Sequence, residues 1–128
     1  MLYTYTAIIS EEDGTFYAKV PDINGCITTG KTLAEAIELI TDALNACLVV
    51  LEDEDITPTP ATAQKDIIHD PSDILTIIQA DTILYRSQTD TKAVRKNVSL
   101  PAWMSNLADK RGINCSKVLQ DALLSVLS

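Results

Sequence analysis

The run from Lys92 to Gly112 restricts the possible architectures of this chain more than any other stretch. It begins with a period of two, which predicts a strand: Val94, Lys96, Val98 and Leu100 fall on one side, Arg95, Asn97 and Ser99 on the other. Pro101 then suits the first position of a helix, where its missing N–H is not needed, and Trp103, Met104, Leu107 and Ala108 follow at helical spacing. Gly112 closes that helix and Asn114 can cap a second one. Val118, Leu119, Ala122, Leu123, Val126 and Leu127 give the second helix an apolar stripe. A unit this small cannot bury its own apolar surface, and a lone strand leaves N–H and C=O groups unpaired along both edges. The remedy is a twofold dimer in which the strands pair antiparallel and four helices close beneath them. Its expected core is Val98, Leu100, Trp103, Leu107, Leu119 and Leu123.

Charge divides the 128 residues into two unequal parts. Residues 1–85 hold fifteen acidic residues against Lys19, Lys31 and Lys65, a net of −12, whereas residues 86–128 hold seven basic residues against Asp90, Asp109 and Asp121, a net of +4. The whole-chain charge of −8 therefore conceals a basic end able to approach nucleic acid. The acidic part would repel phosphate and suits a basic protein partner. Cys26, Cys47 and Cys115 lie far apart with no C-x-x-C pair, so neither a disulfide framework nor a zinc site is indicated, and each reads as a small core or cap residue. The start of the chain carries no basic leader and no apolar run reaches the ~18 residues of a membrane span, so a cytoplasmic protein is expected.

The first 86 residues read as a separate α+β domain. Leu2 to Ile9 alternates as a strand, Glu12-Asp13-Gly14 signals a hairpin turn, and Thr15 to Val20 returns with Phe16, Ala18 and Val20 on one face. After the turn cluster Pro21 to Gly25, Cys26 to Thr29 predicts a short third strand. Thr32 and Glu35 form a capping box, and Leu33, Ala36, Ile37, Ile40, Leu44, Cys47, Leu48 and Leu51 share one face of a helix some five turns long. Glu52 to Asp55 and the Pro/Thr-rich stretch to Thr62 read as an exposed loop, Ile74 to Ile78 as a fourth strand, Ala80 to Tyr85 as a short helix or an irregular return, and 87–91 as the linker to the 92–128 domain.

The strand, helix, helix order over residues 92–127 resembles the ribbon-helix-helix DNA-binding domain. The resemblance implies that the two-stranded ribbon enters the major groove of operator DNA. Arg95, Asn97 and Ser99 would then read base edges, with Arg suited to guanine and Asn to adenine. It further implies phosphate contacts from Lys92 and from the start of the second helix at Asn114, Cys115 and Ser116. Across nearly the whole chain, and most weakly over 52–73, a second resemblance emerges. Tyr5 to Ile9, Asp13-Gly14, Phe16 to Ala18, Val20 to Cys26, Thr29 to Thr32 and Glu35-Ala36 resemble the HicB antitoxin family, and Ile83 to Arg86, Lys92 to Lys96 and Gly112 to Gln120 resemble its ribbon-helix-helix subgroup. This implies a partial RNase H-like N-terminal fold of one sheet and one long helix that blocks a HicA-type mRNA interferase, a small basic RNase. It also implies a C-terminal domain that represses the operon as a homodimer, with pairing into tetramers left open.

Most motif residues also have an architectural reading. Gly14, Pro21, Gly25 and Gly30 fit turns, and Asp22 and Asn24 are ordinary turn residues. Glu11, Glu12, Asp13, Asp22 and Asn24 are nevertheless the exposed acidic and polar positions best placed to meet a basic toxin. His69 stands beside no nucleophile and reads as a loop residue. Two-metal phosphodiester cleavage needs several converging carboxylates, the first usually on the opening strand, and Leu2 to Ile9 contains none. No catalytic residue, metal ligand or cofactor is therefore expected. The alternative to an antitoxin is a stand-alone transcriptional regulator whose N-terminal domain senses a small ligand.

Overall fold

The computed structural model describes residues 1–128. Strands β1 (Leu2–Glu12), β2 (Thr15–Lys19) and β3 (Ile27–Gly30) precede a long helix α1 (Leu33–Asp53), and β4 (Ile74–Asp81) runs directly into α2 (Thr82–Thr89). Two further helices, α3 (Ala102–Lys110) and α4 (Cys115–Leu127), follow after a segment without regular secondary structure. The sheet is antiparallel throughout, in the order β3-β2-β1-β4.

The β1–β2 turn consists of Asp13 and Gly14, with φ of 52° and 78°. Positive φ at both residues is the two-residue turn whose twist matches a hairpin, and Asp followed by Gly is among the pairs that adopt it most readily. Gly30 has a different role from the turn expected of it. A Cβ at Gly30 would stand 2.6 Å from the Ala36 backbone nitrogen, so the absence of a side chain lets β3 lie against the first turn of α1. That turn is capped by the Thr32 hydroxyl, which accepts from the Glu35 N–H at 3.1 Å.

Alternation in the strands and the 3.6 period of α1 meet in one core. Tyr5, Ala7 and Ile9 of β1, Ala18 and Val20 beside them, and Ile78 and Ala80 of β4 face Ala36, Ile40, Leu44 and Leu48 of α1. Leu33, Ile37, Cys47 and Leu51 flank that stripe, half-buried, as their spacing predicts. Cys26 is a core residue, Cys47 lies partly buried, and Cys115 is exposed at the first position of α4, neither core nor cap.

Several boundaries differ from expectation for identifiable reasons. The fourth strand extends to Asp81, whose carboxylate then accepts from the Leu84 N–H at 3.1 Å and starts α2 with no intervening loop. The polar residues 87–89, expected in the linker, are helical: the Ser87 hydroxyl donates to the Leu84 carbonyl and the Thr89 hydroxyl to the Tyr85 carbonyl, so hydroxyls replace apolar contacts in holding the turn. Pro101 sits one position earlier than expected, flanking α3 with ψ of 140°, and its carbonyl accepts the first helical N–H groups. Residues 90–101 form no strand in the single chain, where nothing supplies the ladder a strand requires.

Candidate functional site

Two surfaces of opposite character carry the candidate residues. The first is the C-terminal segment. Lys92, Arg95, Asn97 and Ser99 are all exposed on the irregular stretch between α2 and α3. Asn114 caps α4 by accepting from the Lys117 N–H at 3.2 Å, while the N–H groups of Cys115 and Ser116 have no backbone partner and face the open end of the helix. The six expected dimer-core residues Val98, Leu100, Trp103, Leu107, Leu119 and Leu123 are between 37% and 63% exposed, and neither α3 nor α4 packs extensively on another element.

The second surface belongs to the acidic unit. Glu11, Glu12 and Asp13 lie at the hairpin tip, while Asp22 and Asn24 lie beyond the far end of β2, so the five residues do not form one patch. Five residues of strand span some ~17 Å between them. Asp22 is moreover engaged: its carboxylate accepts from the Thr62 N–H at 2.8 Å and the Thr62 hydroxyl at 2.6 Å, tying the long connection after α1 to the β2–β3 turn. Tyr5 fixes the same connection by donating to the Thr59 carbonyl. His69 is an exposed loop residue, as expected.

A polar cluster that sequence spacing does not reveal joins the end of α1 to α2 and the chain start. Glu52 to Asp55 put four carboxylates at the end of a helix where the macrodipole is already negative. Arg86 answers two of them, reaching Asp53 at 2.9 Å and Glu52 at 3.1 Å. Glu52 also accepts from the Tyr3 hydroxyl at 2.8 Å and from Thr82, which is fully buried, at 3.0 Å. Partial burial pushes the Glu52 carboxyl up, but hydrogen bonds from Tyr3, Thr82 and Arg86 and the positive chain start outweigh it and leave it below the ordinary value. Tyr3 is pushed up to about 12, by burial first and then by the hydrogen bond and charge of Glu52. Beside this cluster Glu38, Leu39 and Asp42 of α1, Gln79 and Asp81 of β4, and Leu84 of α2 border an open groove of about 600 Å³. No three His, Cys, Asp or Glu side chains come together in a group able to hold a metal ion, and no helix is long and apolar enough to cross a membrane.

This combination, an acidic sheet-and-helix unit followed by two exposed amphipathic helices, has counterparts among known proteins. The family described as HicB_like antitoxin of bacterial toxin-antitoxin system matches residues 5–122. The chain belongs to that family. The UPF0150 protein ssr1765 of Synechocystis is 36% identical over 75 residues, which cover 58% of this chain and 90% of that protein. A toxin–antitoxin complex from Streptococcus pneumoniae contains a chain that superposes with a TM-score of 0.57 at 21% identity, covering 98% of this chain and 99% of its own, which supports the fold over both units. The HicA3 and HicB3 toxin–antitoxin complex contains a chain at 26% identity and a TM-score of 0.51, covering 62% of this chain and 99% of its own. The HicB-like family therefore accounts for the mixed α+β architecture with its four-stranded antiparallel sheet and four helices.

Proposed function

We propose that this chain neutralises a HicA-type mRNA interferase through its acidic N-terminal unit and represses its own operon through its C-terminal unit, acting in the cytoplasm without catalysing a reaction. The carrying observation is the segregation of charge and exposure. Net −12 lies on the unit with a complete core, whereas in the basic end the apolar stripes of both helices, with Trp103, Leu107, Leu119 and Leu123, stay exposed. A toxin that grips RNA needs a basic surface, and a −12 partner, partly RNase H-like in fold but without a carboxylate on the inner part of its opening strand, can occlude that surface by charge and shape. The basic end needs a second copy, and antiparallel pairing of residues 92–100 would give that segment the ladder it lacks. Arg95, Asn97 and Ser99 would then project from a ribbon-helix-helix dimer into the major groove, with Lys92 and the free amides at Cys115 and Ser116 on phosphate. The relation to the HicA3–HicB3 complex favours this partner class.

The experiment is co-expression with a HicA-type toxin from the same genome, followed by purification and growth measurement. Co-purification with restored growth, and a gel shift on the operon's own promoter, are expected. Growth arrest that persists despite full expression of the folded chain would remove the antitoxin reading and leave the stand-alone regulator.

A further inference from the structure

The sheet has two edges of unequal quality. β3 is four residues long and ends at Gly30 against α1, whereas β4 offers eight residues, Ile74 to Asp81. Hydrogen-bond phase along β4 follows from its neighbours. Thr82 N–H donates to the Met1 carbonyl, so in the antiparallel register Ala80, Ile78, Thr76 and Ile74 exchange bonds with Tyr3, Tyr5, Ala7 and Ile9. Leu75, Ile77 and Gln79 then direct their N–H and C=O groups outward, and no backbone or side-chain group in the chain engages them. Edge strands of this length are ordinarily guarded by Lys, Pro or a bulge. Residues 74–81 contain none of these guards.

We infer that the β4 edge is the toxin-docking site: an extended, Lys- or Arg-bearing segment of the basic toxin adds to the sheet as a fifth strand beside β4, with cationic side chains in the adjoining groove between α1 and α2. This rests on the antitoxin reading and specifies its surface. The groove supplies the chemistry for such a strand, since Glu38, Asp42 and Asp81 border it in the company of Leu39 and Leu84, which would cover the aliphatic stems of long cations. Asn45, also on its wall, has a buried side-chain oxygen with no partner, an acceptor able to take a further donor. Charge selects between occupants. A second copy of this edge would bring together two units of −12 with Asp73 and Asp81 at the strand ends, whereas a basic strand meets complementary charge. Main-chain pairing would supply affinity and the groove specificity.

Hydrogen exchange on the full chain, free and bound to a HicA-type toxin from the same genome, tests the inference without any variant. Leu75, Ile77 and Gln79 amides should exchange at least tenfold more slowly in the complex, while Thr76 and Ile78, already paired with β1, change little. Two substitutions provide a second measurement. Ile77→Pro removes an outward N–H but no β1–β4 bond, and Glu38→Lys with Asp42→Lys reverses the groove charge; each should weaken toxin binding at least tenfold, while Glu11→Lys with Glu12→Lys at the hairpin tip should have a much smaller effect. If the complex forms and the three amides exchange as in the free chain, or if the folded groove variant binds as the parent does, the edge is not the docking site and the antitoxin reading survives. If the parent binds no toxin, that reading fails and takes the inference with it.

Discussion

The two halves of this molecule solve the burial problem differently. In residues 1–89 a helix with one apolar stripe lies on one face of a four-stranded sheet, and Ala36, Ile40, Leu44 and Leu48 are completely shielded. In residues 102–127 the helices have equally periodic stripes, yet Trp103, Leu107, Leu119 and Leu123 remain exposed and no residue from 83 onward is classed as buried. The contrast teaches that amphipathic patterning specifies which face is to be covered, and the presence of a covering layer decides whether the chain covers it alone. An exposed apolar surface of this extent marks an association site. We propose that the N-terminal unit is self-sufficient and that the C-terminal unit is completed by a second copy.

The sharpest way to break the comparison is a matched pair of core substitutions. Leu44→Ala should destabilise the N-terminal unit by ~2–5 kcal/mol, because it empties space at a site with no exposure, and should leave self-association unchanged. Leu119→Asp should do the reverse: the denaturation midpoint of the sheet unit holds while the particle mass falls to that of one chain, since the dimer would have to bury an unpaired carboxylate. Chemical denaturation and light scattering on both variants check the pair. A Leu119→Asp protein with parental mass that still binds DNA would show that the stripe of α4 is not the interface.

A smaller effect separates reading from folding. Arg95→Ala and Asn97→Ala should each cost ~1–3 kcal/mol per base contact, felt twice in a twofold complex, and leave circular dichroism and toxin neutralisation untouched. Both side chains are exposed and make no hydrogen bond within the chain. Unchanged operator affinity in both variants would remove the ribbon as the reader.

How far the primary structure discloses this arrangement depends on the range of each interaction. The Thr32 cap, the α1 stripe and the Asp13-Gly14 turn are encoded within a few residues of one another, and the structure reproduces them. The end of α2 leaves no apolar period, because Ser87 and Thr89 hold it through hydroxyls. The link from Arg86 to Glu52 and Asp53 spans more than thirty residues and follows no spacing rule. Acidic or polar character in turn segments groups Glu11, Glu12, Asp13, Asp22 and Asn24, but chain position does not tell which end of β2 each one occupies, nor that Thr62 already engages Asp22. The free edge of β4 is likewise a property of strand order, which alternation within one strand does not encode.

The Glu52 cluster gives the smallest and most graded effect. Its carboxyl is lower in the folded than in the unfolded state, so its contribution is present above the unfolded value of ~4.3 and is lost as pH falls through the lower folded value. Tyr3 is raised to about 12, so its contribution is complete below the ordinary tyrosine value near ~10 and is lost as pH rises from there through the folded value. Stability should therefore fall at both extremes, and Glu52→Gln should cost ~1 kcal/mol at neutral pH while flattening the acid side. Thermal unfolding from pH 3 to pH 11 reads both limbs; an unaltered acid limb in Glu52→Gln would place the acid sensitivity elsewhere.

Whether a self-sufficient toxin-binding unit precedes a unit completed by its own copy can be read from the mass of a chain ending at Asp90, alone and mixed with the HicA-type toxin. That end point keeps α2 and its Arg86 contacts, which a cut inside the helix would disrupt. A folded monomer that forms a one-to-one complex with the toxin in light scattering is expected, with the full chain at least a dimer. A folded fragment that is itself dimeric, or that leaves the toxin free when the full chain captures it, would rule out this division of labour.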